Sequence, residues 1–437
     1  MNTAKAFEKL LSNIVLDNNE QLSNRYKEIT KKLNRKFRDT DSEIDNSLQV
    51  GSYGRYTGIK GISDLDMIYI MPKNLWDTYK NDPGKLLRHT RDALQERWPN
   101  TEIHVDTPVV VLNFENFKFE IQPVFMDYEE HDDLPFYWFP DTKDTKYKKT
   151  KPKHEQAEMT RFRREYGDTH RRLCKIMRAW KNTSGLAMSG LLLDTLAYNF
   201  LNDKTGYRTA SLSQFDTMVR DFFFFLKEQP KQEYYAALGS NQRVYVKHPF
   251  KTKASNAWGL AKDAIAEEDE SKRHDIWRNI FGNAFPKGEP EVLLERRNFA
   301  SVTDSYTDPE QFIENKEFPI NISEELRINC KITANGFQPV LLRDLLRRFE
   351  RISTIRSLDF FIESTTVEKP YEILWKVRNV GDEAKRRNCL RGEILKPNRA
   401  DGTRHETSNF RGPHYVECYI IKNKTVIARD RINVPII

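Results

Sequence analysis

Apolar residues recur at intervals of three and four between residues 5 and 48, with no Pro or Gly among them, and this spacing predicts helix. Gly51, Gly54, Gly58 and Gly61 then break the pattern. Residues 64–71 are mostly apolar and predict a buried strand, ended by Pro72. Helical spacing returns at 85–98 (KLLRHTRDALQERW). DTPVVVLNF and FKFEIQPVF follow, β-rich, with a short polar break between them that predicts a hairpin. In the second run Phe117, Phe119 and Ile121 share one face, and Lys118, Glu120 and Gln122 the other.

Residues 141–164 are polar and basic and are expected to form a surface loop running into a helix. The stretch 168–230 is strongly helical in pattern. DTHRRLCKIMRAWKN carries a basic face and sets Leu173, Ile176, Met177 and Trp180 to packing; MSGLLLDTLAYNFL gives a second helix. A further amphipathic helix is expected over 267–285, closed by Pro286 and Gly288, and another over 341–352. Beyond it the pattern turns to strands, in EILWKVRNVG and HYVECYIIKNKTVIARDRINVPII, with turn chemistry at Asn423. The expected class is α+β, with a small separate β-rich domain at 305–437.

A chain of 437 residues exceeds one ordinary core, so two or three units are expected. A charge of +7, from 71 basic and 64 acidic residues, suits a polyanionic ligand without singling one out. Cys174, Cys330, Cys389 and Cys418 are far apart with no CxxC spacing, which argues against a disulfide framework or a cysteine-rich zinc site and fits a reducing cytosol. The N-terminal stretch is amphipathic and mixed in charge, unlike a signal peptide. Phe222–Leu226 is too short to span a bilayer and reads as a buried helix segment. A cytoplasmic protein without membrane partners is expected.

Chemistry concentrates in VGSYGRYTGIKGISDLDMIYI, residues 50–70. Asp64 and Asp66 project together from a strand and repel each other unless a cation lies between them. Mg²⁺ takes oxygen ligands and uses one or two carboxylates plus substrate phosphates. A third carboxylate on a neighbouring strand would allow two ions, and Glu120 is the natural candidate. Gly51 lets backbone approach a phosphate closely, and the Ser52 hydroxyl with nearby N–H groups can bind its oxygens. An Asp-x-Asp pair alone is common in a chain with 31% charged residues and reads as solvated or structural. The combination of Gly-Ser, a short gap, Asp-x-Asp entering an apolar strand and a later acid is far more specific.

That combination resembles the nucleotidyltransferase superfamily whose polymerase-β-like core carries GS…DxD. HRRLCKIMRAWKN, MSGLLLDTLAYNF and WRNIFGNAFP resemble the helical half of the cGAS/DncV-like nucleotidyltransferases (CD-NTases) of bacterial anti-phage systems, a likeness covering about residues 5–290. LWKVRNVGDEA, LRGEI and FRGPHYVECYII resemble the AGS-C domain, a proposed nucleotide sensor. The resemblance implies a polymerase-β-like catalytic core at 1–165, a helical second lobe at 166–304 and the sensor at 305–437. It implies a metal triad at Asp64, Asp66 and Glu120, holding Mg²⁺ or Mn²⁺ as two ions. It places nucleotide binding at Gln49, Gly51, Ser52, Thr57 and Ser189, with a cation for the triphosphate from Lys175, Arg178 or Lys181.

The implied reaction joins ribonucleoside triphosphates, ATP among them, into a cyclic di- or trinucleotide that activates a separate effector in phage defence (CBASS), with RNA or another phage-derived activator as a further partner. Two departures stand out. The third acid is often Asp in relatives, and the ring that often follows the serine is here Gly190. The zinc-binding insertion of the animal DNA sensor has no counterpart. Arg378, Arg391, Arg411 and His414 offer phosphate contacts in the sensor. Two other readings remain open: an RNA-tailing nucleotidyltransferase using the basic stretch 143–164, and a catalytically idle nucleotide sensor.

Overall fold

A computed structural model describes every residue except 1, 17–18, 62–63, 115–116, 289–308, 317, 335–337, 349 and 381. The chain divides into two compact units. One comprises Met1–Ala179, Met188–Glu267 and Ile276–Pro286; the other comprises Trp180–Ala187, Glu268–Asp275 and Lys287–Ile437. The boundary expected at 304/305 lies outside the described residues.

The first unit opens with α1 (Thr3–Asn13) and α2 (Asn19–Arg38), so the helical stretch expected over 5–48 is two helices followed by strand β1 (Ser47–Gln49). Asn34 explains the reversal after α2. Its buried amide donates to the carbonyls of Ser42 and Asp45 at 2.8 and 3.0 Å, tying the outgoing chain back onto the helix. α1 buries Phe7 against the edges of the Trp277 and Phe285 rings, 5.4 and 5.5 Å between centroids.

A one-turn helix, α3 (Gly51–Gly54), leads to β2 (Asp64–Ile70), as the apolar run predicts. After α4 (Trp76–Tyr79), α5 (Pro83–Gln95) starts with Pro83 in its first turn and Asp82 as its cap, accepting the Lys85 N–H at 2.9 Å. Strands β3 (Glu102–Asp106), β4 (Val109–Asn113) and β5 (Lys118–Asp127) follow, β4 and β5 pairing antiparallel as the expected hairpin. The basic stretch departs from its expectation. β6 (Phe136–Asp141) pairs with β7 (Lys146–Thr150) where a loop was expected, before helix α6 (Pro152–Tyr166). Tyr147 secures β7: its ring lies 5.0 Å from Trp76 and its hydroxyl donates to the Tyr79 carbonyl at 3.1 Å. Three nearby lysines are paired with acids, Lys148 with Asp141 and Asp144, and Lys149 and Lys151 sharing Glu129.

The sheet runs β1-β2-β5-β4-β3, with β6 and β7 continuing from β5. Only β2 and β5 are parallel among these pairs, and their register sets Asp64 opposite Lys118 and Asp66 opposite Glu120. Leu65, Met67 and Tyr69 of β2 and Phe119 and Ile121 of β5 share a core with Ile29 and Leu33 of α2 and Leu86, Leu87 and Leu94 of α5. The odd positions of β2 are thus held in the core, which turns Asp66 to the opposite face. Helices α7 (Thr169–Ser184), α8 (Gly190–Asp203), α9 (Phe215–Glu228), α10 (Lys251–Ala266) and α11 (Glu270–Phe281) follow. In α9, Phe222, Phe223 and Leu226 are buried. A short hairpin, β8 (Tyr234–Ala236) and β9 (Arg243–Tyr245), lies between α9 and α10. Among the described residues no helix is long and apolar enough to cross a membrane.

The second unit holds two four-stranded antiparallel sheets. One is ordered β11 (Val340–Leu341), β10 (Leu326–Thr333), β12 (Ser357–Thr365), β15 (Arg404–Thr407). The other is β14 (Ile394–Leu395), β13 (Glu372–Arg378), β16 (Gly412–Lys422), β17 (Thr425–Ile436). Ile328, Cys330 and Phe360 of the first share a core with Trp375, Cys418 and Ala428 of the second. The helix expected over 341–352 shortens to Leu342–Arg347, because Leu341 is held in a strand opposite Lys331 and Ile352 bridges to Ile436. Asn423 and Lys424 both have positive φ, 51° and 58°, as a two-residue hairpin turn requires. All four cysteines are free thiols.

Candidate active site

Strand β1 delivers the chain to the edge of β2, and the Val50 N–H bonds the Asp66 carbonyl at 2.9 Å. Gly51 follows with φ +61°, and a Cβ there would lie 1.8 Å from Asp66 Oδ2. No other residue fits: the carboxylate occupies the space a side chain would need, and the backbone is left-handed. The first internal bond of α3 runs from Gly54 N–H to the Val50 carbonyl at 2.9 Å, which leaves the N–H groups of Gly51, Ser52 and Tyr53 outside the helical ladder. The turn therefore sets amide donors and the Ser52 hydroxyl beside a carboxylate. Gln49 serves through its backbone, whose carbonyl accepts from Gln156 Nε2 at 2.7 Å.

Glu120 stands level with Asp66 on β5, and Lys118 Nζ lies 2.8 Å from Glu120 Oε1. Both side chains are partly exposed. The Asp64 side chain lies outside the described residues, and among those described no group of three metal-ligating side chains is assembled. The donor set nonetheless suits a hard cation. Asp66 and Glu120 present carboxylates at one level of adjacent parallel strands, and an ammonium already sits on Glu120.

Behind the turn lies a buried ionic network that sequence reasoning did not find. Asp194 of α8 is 0% exposed, and both its oxygens accept from Arg178 Nη2 at 2.7 Å. Its Oδ2 also accepts from Arg55 Nε at 2.9 Å and from the Thr57 hydroxyl at 3.0 Å. Arg178 Nε donates to the Thr57 carbonyl at 2.7 Å, and Nη2 to the Thr57 hydroxyl at 2.7 Å. Arg55 Nη1 reaches Glu155 at 3.1 Å. Burial pushes the Asp194 carboxyl up, and the guanidiniums of Arg178 and Arg55 outweigh it, holding the group below its ordinary range. Glu155 is pushed up to about 7 by burial, with Arg55 opposing. Thr57 and Arg178 thus spend their polar groups inside the protein. An acid within the apolar run MSGLLLDTLAYNFL was the available signal.

Arg55 and Thr57 bracket Tyr56, which is 63% exposed with φ 60°. A left-handed tyrosine costs about 1–2 kcal/mol, so the pinned neighbours hold it there. The Arg171 guanidinium stacks over the ring, 4.6 Å from its centroid. Burial first, then repulsion from Arg163, lowers the Arg171 pKa. Lys175, one turn along α7, is lowered by burial and by Arg171, and among the described residues no hydrogen bond or ion pair engages its ammonium.

The remaining candidates fall elsewhere. Ser189 caps α8, its exposed hydroxyl accepting the Leu192 N–H at 3.2 Å. A Cβ at Gly190 would lie 2.5 Å from Arg178 Nη1, so a side chain there would displace the guanidinium. Lys181 is buried and groups with the second unit. In that unit Arg378 donates to the Arg391 carbonyl at 2.8 Å, and Arg391 forks onto Glu406 at 2.6 and 3.1 Å. His414 is buried between the Val380 N–H, which it accepts, and the Phe410 carbonyl; burial lowers its pKa. Arg411 is exposed.

Residues 1–162 match the Second Messenger Oligonucleotide or Dinucleotide Synthetase (SMODS) domain, and residues 307–437 match the Adenylyl/Guanylyl and SMODS C-terminal sensor domain. No curated protein matches the chain. Among solved structures, CdnC of E. coli MS115-1 with ATP is 14% identical, over 65% of this chain and 99% of that one, with a TM-score of 0.48. A mutant of the Vibrio cholerae di-nucleotide cyclase DncV is 12% identical over 65% and 87%, TM-score 0.45. The Elizabethkingia meningoseptica CdnE cyclic dinucleotide synthase with GTP and Apcpp is 15% identical over 61% and 98%, TM-score 0.43. With the synthetase domain over residues 1–162 and its companion sensor over 307–437, the chain belongs to the cGAS/DncV-like nucleotidyltransferases and is a nucleotidyltransferase with a C-terminal sensor domain.

Proposed function

We propose that the chain joins ribonucleoside triphosphates, ATP among them, into a cyclic di- or trinucleotide messenger, which activates a separate effector in the cytoplasm during phage infection (CBASS). Residues 1–165 form the catalytic core, 166–304 the helical lobe and 305–437 the sensor. The observation that carries the reading is Gly51 closed against the Asp66 carboxylate, with Glu120 level on the adjacent parallel strand. Asp64, Asp66 and Glu120 would hold two divalent cations, Mg²⁺ or Mn²⁺. When bound, such ions offset phosphate charge and lower the pKa of an attacking hydroxyl.

The turn Gly51–Gly54 binds phosphate oxygens through Ser52 and its free amides, and Lys175 supplies the cation to the triphosphate. Lys175 is preferred to Arg178, whose guanidinium is committed to Asp194 and Thr57. Arg178 and Thr57 act as positioning residues. A ribose hydroxyl of one nucleotide then attacks the α-phosphorus of the other. Glu120 orients that hydroxyl and its carboxylate takes the proton; the new P–O bond forms as the bond to the β-phosphate breaks, and pyrophosphate leaves. The same transfer closes the ring.

The RNA-tailing reading is the less favoured, because Lys148, Lys149 and Lys151 of its basic stretch are already paired with Asp141, Asp144 and Glu129. The test is incubation with four labelled ribonucleotides in Mg²⁺ and in Mn²⁺, followed by phosphatase. A phosphatase-resistant product, absent from Asp64→Ala/Asp66→Ala, is expected. Linear tails on added RNA with no cyclic product would reject the reading.

A further inference from the structure

Position 190 admits no side chain while Arg178 holds its place, so the start of α8 offers no ring to a nucleobase. An exposed ring stands instead beside the phosphate turn. We propose that Tyr56, backed by Arg171, is the stacking platform for the nucleobase of a bound triphosphate and favours purines. This rests on the nucleotide-binding reading of the Gly51–Asp66 turn.

Four observations carry it. Tyr56 lies four residues beyond Ser52 and is largely solvent-exposed, so its ring is open to a ligand. Its backbone is left-handed, φ 60°, and is fixed on both sides by the Asp194 network. Strain of this kind persists where surrounding structure over-determines it, and it clusters at ligand clamps. Arg171 covers one ring face at 4.6 Å, so the guanidinium fixes the ring while its exposed surface stays available. Finally, Arg171 Nε is buried and has no hydrogen-bond partner among the described residues. No acceptor of the described residues therefore draws Nε of this guanidinium away from the ring.

Placement completes the picture. Lys175 follows Arg171 by one turn of α7, so both extend from one helical face. Ring, guanidinium and ammonium therefore form one array along the turn: base on Tyr56, phosphates on Ser52 and Lys175. Aromatic stacking tolerates every base and grows with its π surface, which is why a purine gains more than a pyrimidine.

The test measures equilibrium binding of non-hydrolysable ATP, GTP, CTP and UTP analogues, and of inorganic tripolyphosphate, to the full chain. Wild type is compared with Tyr56→Ala, Tyr56→Phe and Arg171→Met, each checked by its melting transition. Tyr56→Ala is expected to weaken the purine analogues roughly tenfold or more and the pyrimidines less, with tripolyphosphate unchanged. Tyr56→Phe should retain affinity, and Arg171→Met should lose roughly threefold. Equal losses for tripolyphosphate and ATP would mean that the turn itself had collapsed, and would overturn the platform. So would an Ala variant that binds all four analogues as wild type does. If wild type bound no nucleotide and no tripolyphosphate, the reading of the turn would fail first, and the platform with it.

Discussion

Two aspartates, Asp66 and Asp194, meet the same short stretch of chain, Asp66 at Val50 and Gly51 and Asp194 at Arg55 and Thr57, and are treated in opposite ways. Asp194 is sealed from water and held by two guanidiniums and a hydroxyl. Asp66 is only partly buried, and its carboxylate faces a glycine that leaves room for its oxygens. The first is an acid whose bonds are complete, so its chemistry is finished at folding. The second is an acid kept accessible. A buried charge with all its bonds made fixes geometry; an accessible one beside backbone amides and a second carboxylate can bind ions and phosphates.

The largest effect should follow from removing the sealed acid. Asp194→Ala leaves the buried Arg178 guanidinium without a carboxylate and Arg55 with Glu155 alone, and is expected to cost about 3–5 kcal/mol, read by chemical denaturation. Arg178→Met in the same background should recover part of that loss, since it removes one stranded charge. The next effect is on activity. Gly51→Ala drives a methyl group into the Asp66 carboxylate and should lower turnover about 10²-fold, measured on the product assay with the melting transition as control. Unchanged turnover would place the working carboxylate elsewhere.

A pH measurement separates the two environments further. Glu155, beside Arg55, is raised by burial from 4.5 to about 7. A carboxyl raised on folding adds stability at low pH that is lost as pH climbs through the folded value. Wild-type stability relative to Glu155→Gln should therefore fall by about 2–3 kcal/mol between pH 4.5 and 8. A flat difference would mean that Arg55 keeps the group ionised throughout. The smallest effect concerns Lys118. Lys118→Met frees Glu120 from its ammonium and should tighten Mn²⁺ binding by about 1 kcal/mol, roughly fivefold, read by electron paramagnetic resonance of free Mn²⁺. Weaker Mn²⁺ binding would give Lys118 a supporting role instead.

The accessible acid was legible and the sealed one was not, for a physical reason. Asp66, Glu120 and Gly51 are announced by local patterns: two-residue alternation on a strand, and glycine where backbone must come close. Strand alternation also fixed which face Glu120 shares with Lys118. Asp194, Arg55 and Glu155 meet across 100 to 139 residues of chain, and nothing local pairs them. A lone acid inside an apolar helix marked Asp194, without naming its partners. β7 was hidden for another reason. Its lysines are balanced by acids from elsewhere in the fold, and Tyr147 alone carries its packing, so its composition matches a loop. The helical pattern through residue 48 likewise could not show Asn34 turning the chain by bonding carbonyls.

The most direct measurement is a pairing of two readouts on Asp66→Asn: formation of phosphatase-resistant product from ribonucleotides, and the melting transition of the same preparation. Loss of product with a midpoint within about 2 °C of wild type is the predicted result, because Asp66 serves the reaction and Asp194 the fold. Product at the wild-type level, or a collapsed melting transition, would contradict it.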